Sequence, residues 1–356
     1  MAAGAAFAKY LRRYAEAEAR QVPRLALPHH AALVVPAFAE SEVMLDGYRD
    51  AARAAPGPVV VILVVNAPAS ASDEERAANA ALLRSLRARA SYDDGQFVFV
   101  AEPEFSLLVV DRASPGREIE KKLGVGHARK IGADVALALF ARGELESRFV
   151  FSTDADACLP LDYFVRPRAD EVAGALLFPF EHVEGSDPRV FEMTLLYELS
   201  LRYHVLGLAF AGSPYAHHSV GSALAASYEG YAAVRGFPKR AAGEDFYLLD
   251  KVGKVLPIRR LAGAPVRILA RRSLRVPFGT GPRVERLLSE PSAFVDHPAT
   301  YQALAALLAA LDAFAQSRDD GSFARAFTDL PRDLATAADA AARELGILEA
   351  ARGAIA

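Results

Sequence analysis

The stretch that decides the fold is Arg148-Phe149-Val150-Phe151-Ser152-Thr153-Asp154-Ala155-Asp156, an apolar segment that runs into two aspartates. In an extended chain, residues two apart point to the same side. We therefore expect the carboxylates of Asp154 and Asp156 to face one spot at the mouth of a sheet. Carboxylate oxygens suit a hard divalent cation that also carries phosphate oxygens, such as Mg²⁺ or Mn²⁺. Alone, Asp-x-Asp is usually a solvated turn or a helix cap.

Strand and helix patterns alternate through the first half of the chain, which predicts an α/β fold with a mostly parallel sheet flanked by helices. The run at 58–65 is continuously apolar, as buried parallel strands are. Ser72 and Glu75 predict a capping box at a helix start. We expect strands at 31–35, 58–65, 97–100, 107–110 and 174–180, and helices at 2–20, 72–90, 126–141, 190–208, 299–316 and 333–351.

Composition sets broad limits on the partners and the location of the protein. The chain has 356 residues, 52% of them hydrophobic, and a net charge of -3, which argues against a nucleic-acid or anionic-membrane binder. Its one cysteine, Cys158, excludes a disulfide framework, and we expect a small buried side chain there. With no secretion signal and no transmembrane segment visible in the sequence, a cytoplasmic protein is the expectation. A homo-oligomer is compatible with the sequence.

A second acidic segment, Gly243-Glu244-Asp245, precedes a helical pattern. Carboxylates in a first helical turn are stabilised by the helix dipole, so this position alone needs no further purpose. A functional interpretation makes one of the two carboxylates a general base, which takes the proton of a reacting hydroxyl. A carboxylate of this segment is a candidate for that base.

Taken together, the motifs resemble the inverting nucleotide-sugar glycosyltransferases of family 2, which have the GT-A fold. Five stretches carry the resemblance, at 34–40, 126–134, 153–156, 230–238 and 243–245. It covers roughly residues 30–285. We therefore expect an N-terminal helix at 1–29, a GT-A domain at 30–285 and an Ala-rich C-terminal helical extension at 286–356.

The resemblance implies a role for each acidic position. Asp156 would bind Mg²⁺ or Mn²⁺ on the diphosphate of a UDP- or GDP-sugar donor, and Asp154 would contact the ribose or the metal and its water shell. Asp245 would be the base that deprotonates a hydroxyl acceptor, with Glu244 orienting that acceptor. The metal would neutralise charge on the leaving diphosphate, and direct displacement would invert the anomeric centre.

The same resemblance implies the nucleotide contacts. Pro36, Ala37 and Glu40 would line the nucleotide pocket, and Arg129 would approach the base or a phosphate. Asn66 stands where the family often has an aspartate that reads the base, so the identity of the base stays open.

Lys130 stands where the family commonly has asparagine. Arg271, Arg272 and Arg275 follow the Glu-Asp motif, where the family often recruits a further metal or phosphate ligand. Arginine matches phosphate and carboxylate with a forked geometry, so these residues would grip the diphosphate or an anionic acceptor. A basic strand edge is the rival interpretation.

His217 and His218 are weaker candidates for contacts with the donor or the acceptor, and a polar loop is the preferred interpretation of them. Two other functions remain open. A sugar-phosphate nucleotidyltransferase would want a Gly-rich loop with Arg and Lys after the first strand, where this chain has Pro36-Ala37-Phe38-Ala39-Glu40. A non-catalytic nucleotide-sugar binder is the other, and the presence of the aspartates argues against it.

Overall fold

The computed structural model describes residues 2–168, 170–273, 279–290 and 295–355. The chain forms two compact units. The first consists of Met1–Leu195 and Ser219–Pro291, and the second of Leu196–His218 and Ser292–Ala356. All the sheet strands belong to the first unit.

The described part of the first unit contains a nine-stranded sheet and a three-stranded sheet. The strands are β1 (Ala31–Ala37), β2 (Val59–Asn66), β3 (Tyr92–Asp93), β4 (Phe97–Ala101), β5 (Ser106–Arg112), β6 (Phe149–Ser152), β7 (Ala157–Cys158), β8 (Ala175–Leu177), β9 (Phe180–Val183), β10 (Leu224–Ser227), β11 (Ile258–Arg260) and β12 (Val266–Leu269). The large sheet has the order β11-β8-β10-β6-β1-β2-β5-β4-β3, and the small one β7-β12-β9. The central strands β6, β1, β2 and β5 are parallel, so their carboxyl ends share one edge.

Helices cover the large sheet and continue into the second unit. The first unit contains α1 (Ala2–Arg13), α2 (Glu18–Gln21), α3 (Asp46–Arg53), α4 (Asp73–Arg87), α5 (Gly124–Ala141), α7 (Tyr228–Ala233), α8 (Glu244–Val252) and α9 (Thr280–Ser289). Helix α6 (Pro188–Phe210) begins in the first unit and ends in the second. The second unit contains α10 (Pro298–Ser317), α11 (Gly321–Ala324), α12 (Arg332–Glu344) and α13 (Ile347–Ile355).

The central strands are buried on both faces, which explains their continuous apolar sequences. In β2, Val61 and Leu63 belong to one core cluster, whereas Val60 and Ile62 belong to another. The first cluster includes residues of α3 and α4, and the second includes residues of α1, α5, α7 and α8. The expected α/β class, a mostly parallel sheet flanked by helices, is therefore confirmed.

A buried polar network attaches the N-terminal segment to α5. Lys130 donates hydrogen bonds to Tyr10 Oη at 2.6 Å and to Asp134 Oδ2 at 3.0 Å. Tyr10 and Tyr231 both donate to Asp134 Oδ1, at 2.7 and 2.8 Å. Lys130 thus neutralises a buried aspartate, which would be costly to leave unpaired.

Several local expectations are refined by the structure. The Ser72–Glu75 capping box is present at the start of α4. The single strand expected at 174–180 is divided into β8 and β9, which join different sheets, because Pro179 between them cannot donate a ladder hydrogen bond. Cys158 is exposed rather than buried, since it lies on β7 with its neighbour Ala157 turned inward.

One described helix, α10, is long and apolar enough to cross a membrane by length and composition alone. Only 17% of its apolar window is buried. A single helix of this kind is a weak indication of a membrane span.

Candidate active site

The carboxyl ends of the parallel strands bring several of the expected site residues to one edge. Pro36 and Ala37 end β1, and Asn66 ends β2. The Asn66 amide nitrogen donates to Ala37 O at 3.0 Å and to Val64 O at 3.1 Å, which fixes the side chain across the two strands. Strand β6, which leads into Asp154, pairs with β1 on its other side. Open α/β sheets bind ligands at such an edge.

The Asp154-Ala155-Asp156 segment is a turn and does not continue the strand. The carboxylates of Asp154 and Asp156 therefore contact different residues. The extended chain that the sequence predicted would have pointed both carboxylates to the same side. Asp154 accepts a hydrogen bond from Arg129 Nη2 at 2.6 Å. The buried Tyr48 of α3 donates a hydrogen bond to Asp154 O at 2.9 Å and so fixes the main chain of the turn. Tyr48 was not identified from the sequence.

Asp156 is bound to an arginine from a distant part of the chain. Arg271 Nε lies 2.7 Å from Asp156 Oδ2, and Arg271 Nη2 lies 2.9 Å from Glu40 Oε1. Burial, together with the charges of Asp154 and Glu40, raises the pKa of Asp156, although Arg271 opposes the shift. The expected nucleotide-loop residue Glu40 and the expected metal ligand Asp156 are thus adjacent.

Arg129 joins the two acidic motifs. Its side chain is 2% exposed, and all three of its nitrogens donate to protein atoms. Nε lies 2.9 Å from Glu244 Oε1, Nη2 contacts Asp154, and Nη1 lies 3.0 Å from Gly221 O. Burial lowers the pKa of Arg129, but Asp154 and Glu244 outweigh this effect and raise it, so the guanidinium stays charged.

The Glu244–Asp245 pair opens α8, as the sequence predicts. Gly243 precedes it with φ 71°, a conformation that favours glycine and turns the chain sharply into the helix. Glu244 is buried against Arg129, whereas Asp245 is partly exposed. Burial and the charge of Glu244 raise the pKa of Asp245 to about 7, although Arg129 acts in the opposite direction.

Two glycines at the start of α5 serve close packing. A Cβ at Gly126 would lie 2.6 Å from both Arg240 O and Pro238 O, and one at Gly124 would lie 2.7 Å from Ala241 Cα. Gly126 N also donates to Arg240 O at 3.0 Å. The loop that leads to Gly243 is therefore held directly against the helix that carries Arg129, a relation that local sequence patterns do not contain.

Of the remaining candidates, Arg272 has its partner outside this constellation. Arg272 pairs with Glu285 at 3.5 Å and is 62% exposed. Arg275 lies outside the described residues. His217 and His218 belong to the second unit, at the end of its first segment, and their roles stay predictions.

The donor set fits a divalent cation that completes its ligands with substrate oxygens. Among the residues that the structure describes, no group of three His, Cys, Asp or Glu side chains could hold a metal ion alone. Five carboxylates and two guanidinium groups of the described residues nevertheless interact here: Glu40, Asp154, Asp156, Glu244, Asp245, Arg129 and Arg271. Mg²⁺ is often held by one or two carboxylates together with phosphate oxygens and water.

Comparisons with known proteins identify distant structural likenesses. No family model matches the chain, and no curated protein matches it. A mannosyltransferase from Pyrobaculum calidifontis, solved in complex with GDP-Man and Mn²⁺, is 18% identical over 96% of this chain and 95% of its own, with a TM-score of 0.41. A mycobacterial protein is 14% identical over 82% of this chain and 80% of its own, with a TM-score of 0.35. Similarity at this distance does not decide the function.

Gly221 gives a direct test of the packing around Arg129. A methyl group at this position would lie 2.8 Å from Arg129 Nη2 and 3.4 Å from Asp245 Oδ2. Because the guanidinium is fixed by buried acceptors, Gly221→Ala should lower the free energy of unfolding by about 1–3 kcal/mol in urea denaturation. As a matched control, Gly4→Ala on α1 places its Cβ where no described atom lies within 4 Å, and should not destabilise the protein. Equal stability of the two variants would contradict this packing.

Proposed function

We propose that the protein is a metal-dependent inverting glycosyltransferase of the GT-A type, which moves a sugar from a nucleoside-diphosphate sugar to a hydroxyl acceptor. The observation that carries the proposal is the contact of Arg129 with both Asp154 and Glu244. It joins the acidic turn after β6 to the acidic start of α8, so a donor site and a candidate base share one edge of the sheet.

On the donor side, the proposal places the nucleotide at the carboxyl ends of β1 and β2. Pro36, Ala37 and Glu40 would line its pocket. The Asn66 amide nitrogen is bonded to main-chain oxygens, so its carbonyl oxygen is the atom left to accept from the base. Uracil and guanine both carry a ring N–H that could donate to it, which agrees with a UDP- or GDP-type donor.

Near the diphosphate, Asp156 and Asp154 would hold Mg²⁺ or Mn²⁺, and a bound cation of this kind neutralises charge on a leaving diphosphate. Asp154 also keeps its contact with Arg129, so the turn is fixed before any ligand binds. Preorganised charges of this kind need no rearrangement as the reaction proceeds.

On the acceptor side, Asp245 would take the proton of the attacking hydroxyl as the new glycosidic bond forms. A pKa of about 7 suits this role, because the carboxylate is then both available and sufficiently basic near neutral pH. Glu244 is turned towards Arg129. Its proposed role is to position the start of α8, and with it Asp245 and the acceptor. Arg129 would act in the same way from inside the protein.

The proposal is tested by Asp245→Asn. Thermal-shift measurements with UDP, GDP and their sugars, in the presence of Mn²⁺, first identify the donor through its stabilisation of the folded state. Asp245→Asn should then lower the rate of transfer, or of donor hydrolysis, by about 10²–10⁴-fold while the donor Kd changes less than about twofold.

Asp250→Asn on the same helix is the matched control. Asp250 pairs with Lys254 at the surface, 3.0 Å away, so its neutralisation makes the same charge change one and a half turns away. It should leave both the rate and the donor Kd unchanged. Parallel loss of rate and donor binding in Asp245→Asn would contradict the role of Asp245 as the base.

The pKa of Asp245 predicts how the reaction depends on pH. Only the ionised carboxylate accepts a proton, so kcat/KM should be level above pH 7 and fall below it, about tenfold for each pH unit. Since the charge of Glu244 helps to raise the pKa of Asp245, Glu244→Gln should move the inflection to lower pH. A profile of kcat/KM that stays flat from pH 5 to pH 8 would contradict this assignment.

A further inference from the structure

Arg271 divides its guanidinium between two carboxylates that come from different parts of the chain. Its Nε and Nη2 atoms form one fork, and such a fork commonly grips both oxygens of a single carboxylate. Here the Nε side binds Asp156 at 2.7 Å, and the Nη2 side binds Glu40 at 2.9 Å. The two carboxylates therefore lie side by side against one positive charge.

The chain positions Arg271 firmly for this contact. The residue follows β12, and Leu269 N donates to Asp156 O at 2.9 Å while Ala270 N donates to Val183 O at 2.9 Å. Arg271 is thus anchored to the acidic turn on one side and to β9 on the other. Its side chain is 32% exposed, whereas those of Asp156 and Glu40 are 19% and 14% exposed.

The negative charges of Asp156 and Glu40 both contact the guanidinium of Arg271, and Asp154 belongs to the same turn as Asp156. A divalent cation would offset more of this charge than the guanidinium does, whereas a released guanidinium is a strong binder of phosphate oxygens. The Arg271 side chain can therefore bind first the carboxylates and then the phosphate oxygens.

We infer that Arg271 is an exchangeable internal cation, which holds Asp156 and Glu40 while the donor is absent and releases Asp156 when the diphosphate and its divalent cation bind. The inference rests on the proposed function and adds a step in which Arg271 exchanges its partners. Arg271 competes with the free metal ion for Asp156, and after release it binds the diphosphate. The metal and the nucleoside diphosphate should consequently bind better together than either does alone.

The test is the affinity of Mn²⁺ for the wild-type protein and for Arg271→Gln, measured by electron paramagnetic resonance of the free ion. Without nucleotide, Arg271→Gln should bind Mn²⁺ about tenfold more tightly than wild type, because the competing cation is gone. UDP or GDP should strengthen Mn²⁺ binding by a larger factor in wild type than in the variant, because only wild type gains the contact between the guanidinium and the diphosphate.

Arg267→Gln is the matched control, since it removes the same charge from the neighbouring strand β12. Arg267 is 61% exposed and lies 3.8 Å from Glu181, so its loss should leave the affinity for Mn²⁺ unchanged. Melting temperature supplies a second readout. In EDTA, Arg271→Gln should melt below wild type, and Mn²⁺ should raise its melting temperature more than that of wild type.

The outcomes separate this inference from the function on which it rests. Measurable and equal Mn²⁺ affinities for wild type and Arg271→Gln would overturn the exchange and leave the proposed transferase intact. Weaker binding of Mn²⁺ to Arg271→Gln in the absence of nucleotide would also overturn it. Absence of Mn²⁺ binding to every variant, with and without UDP and GDP, would overturn both the exchange and the metal dependence of the proposed function.

Discussion

The buried guanidinium of Arg129 is the constraint on which the arrangement of the site depends. A charge that is 2% exposed must keep its ionic partners, because loss of one partner of a buried ion pair costs about 3–5 kcal/mol. Asp154 and Glu244 supply those partners from the end of β6 and the start of α8. Three elements are consequently fixed relative to one another by a single side chain, and Asp245 is placed beside them.

The fold supports this contact through close packing around α5. Gly126 allows the loop before α8 to approach the helix, and Gly221 leaves space for the guanidinium itself. Lys130 and Asp134, also on α5, tie the helix to the N-terminal segment. The result is a rigid base under the group of carboxylates at this edge of the sheet.

Much of the architecture could be predicted from the sequence because it depends on local patterns. Continuous apolar runs identified the parallel strands, Ser72 and Glu75 identified a helix start, and Glu244 and Asp245 open the expected helix, whereas Asp154 and Asp156 lie in a turn after the expected strand. The pairing of Arg129 and Arg271 with particular carboxylates depends on contacts between distant residues, which spacing does not encode. The same is true of Tyr48, whose hydroxyl meets the main chain of the acidic turn only in the folded protein.

The most direct test of the central claim is a double-mutant cycle between Asp154→Asn and Glu244→Gln, with the free energy of unfolding measured in urea. If both carboxylates bind one buried guanidinium, removal of either carboxylate leaves Arg129 paired with the other. Removal of both leaves Arg129 without either of these ion pairs. The account therefore predicts that the double variant loses at least about 0.5 kcal/mol more than the sum of the single losses. Losses that add to within about 0.3 kcal/mol would contradict it, because they would mean that the two acidic motifs are independent.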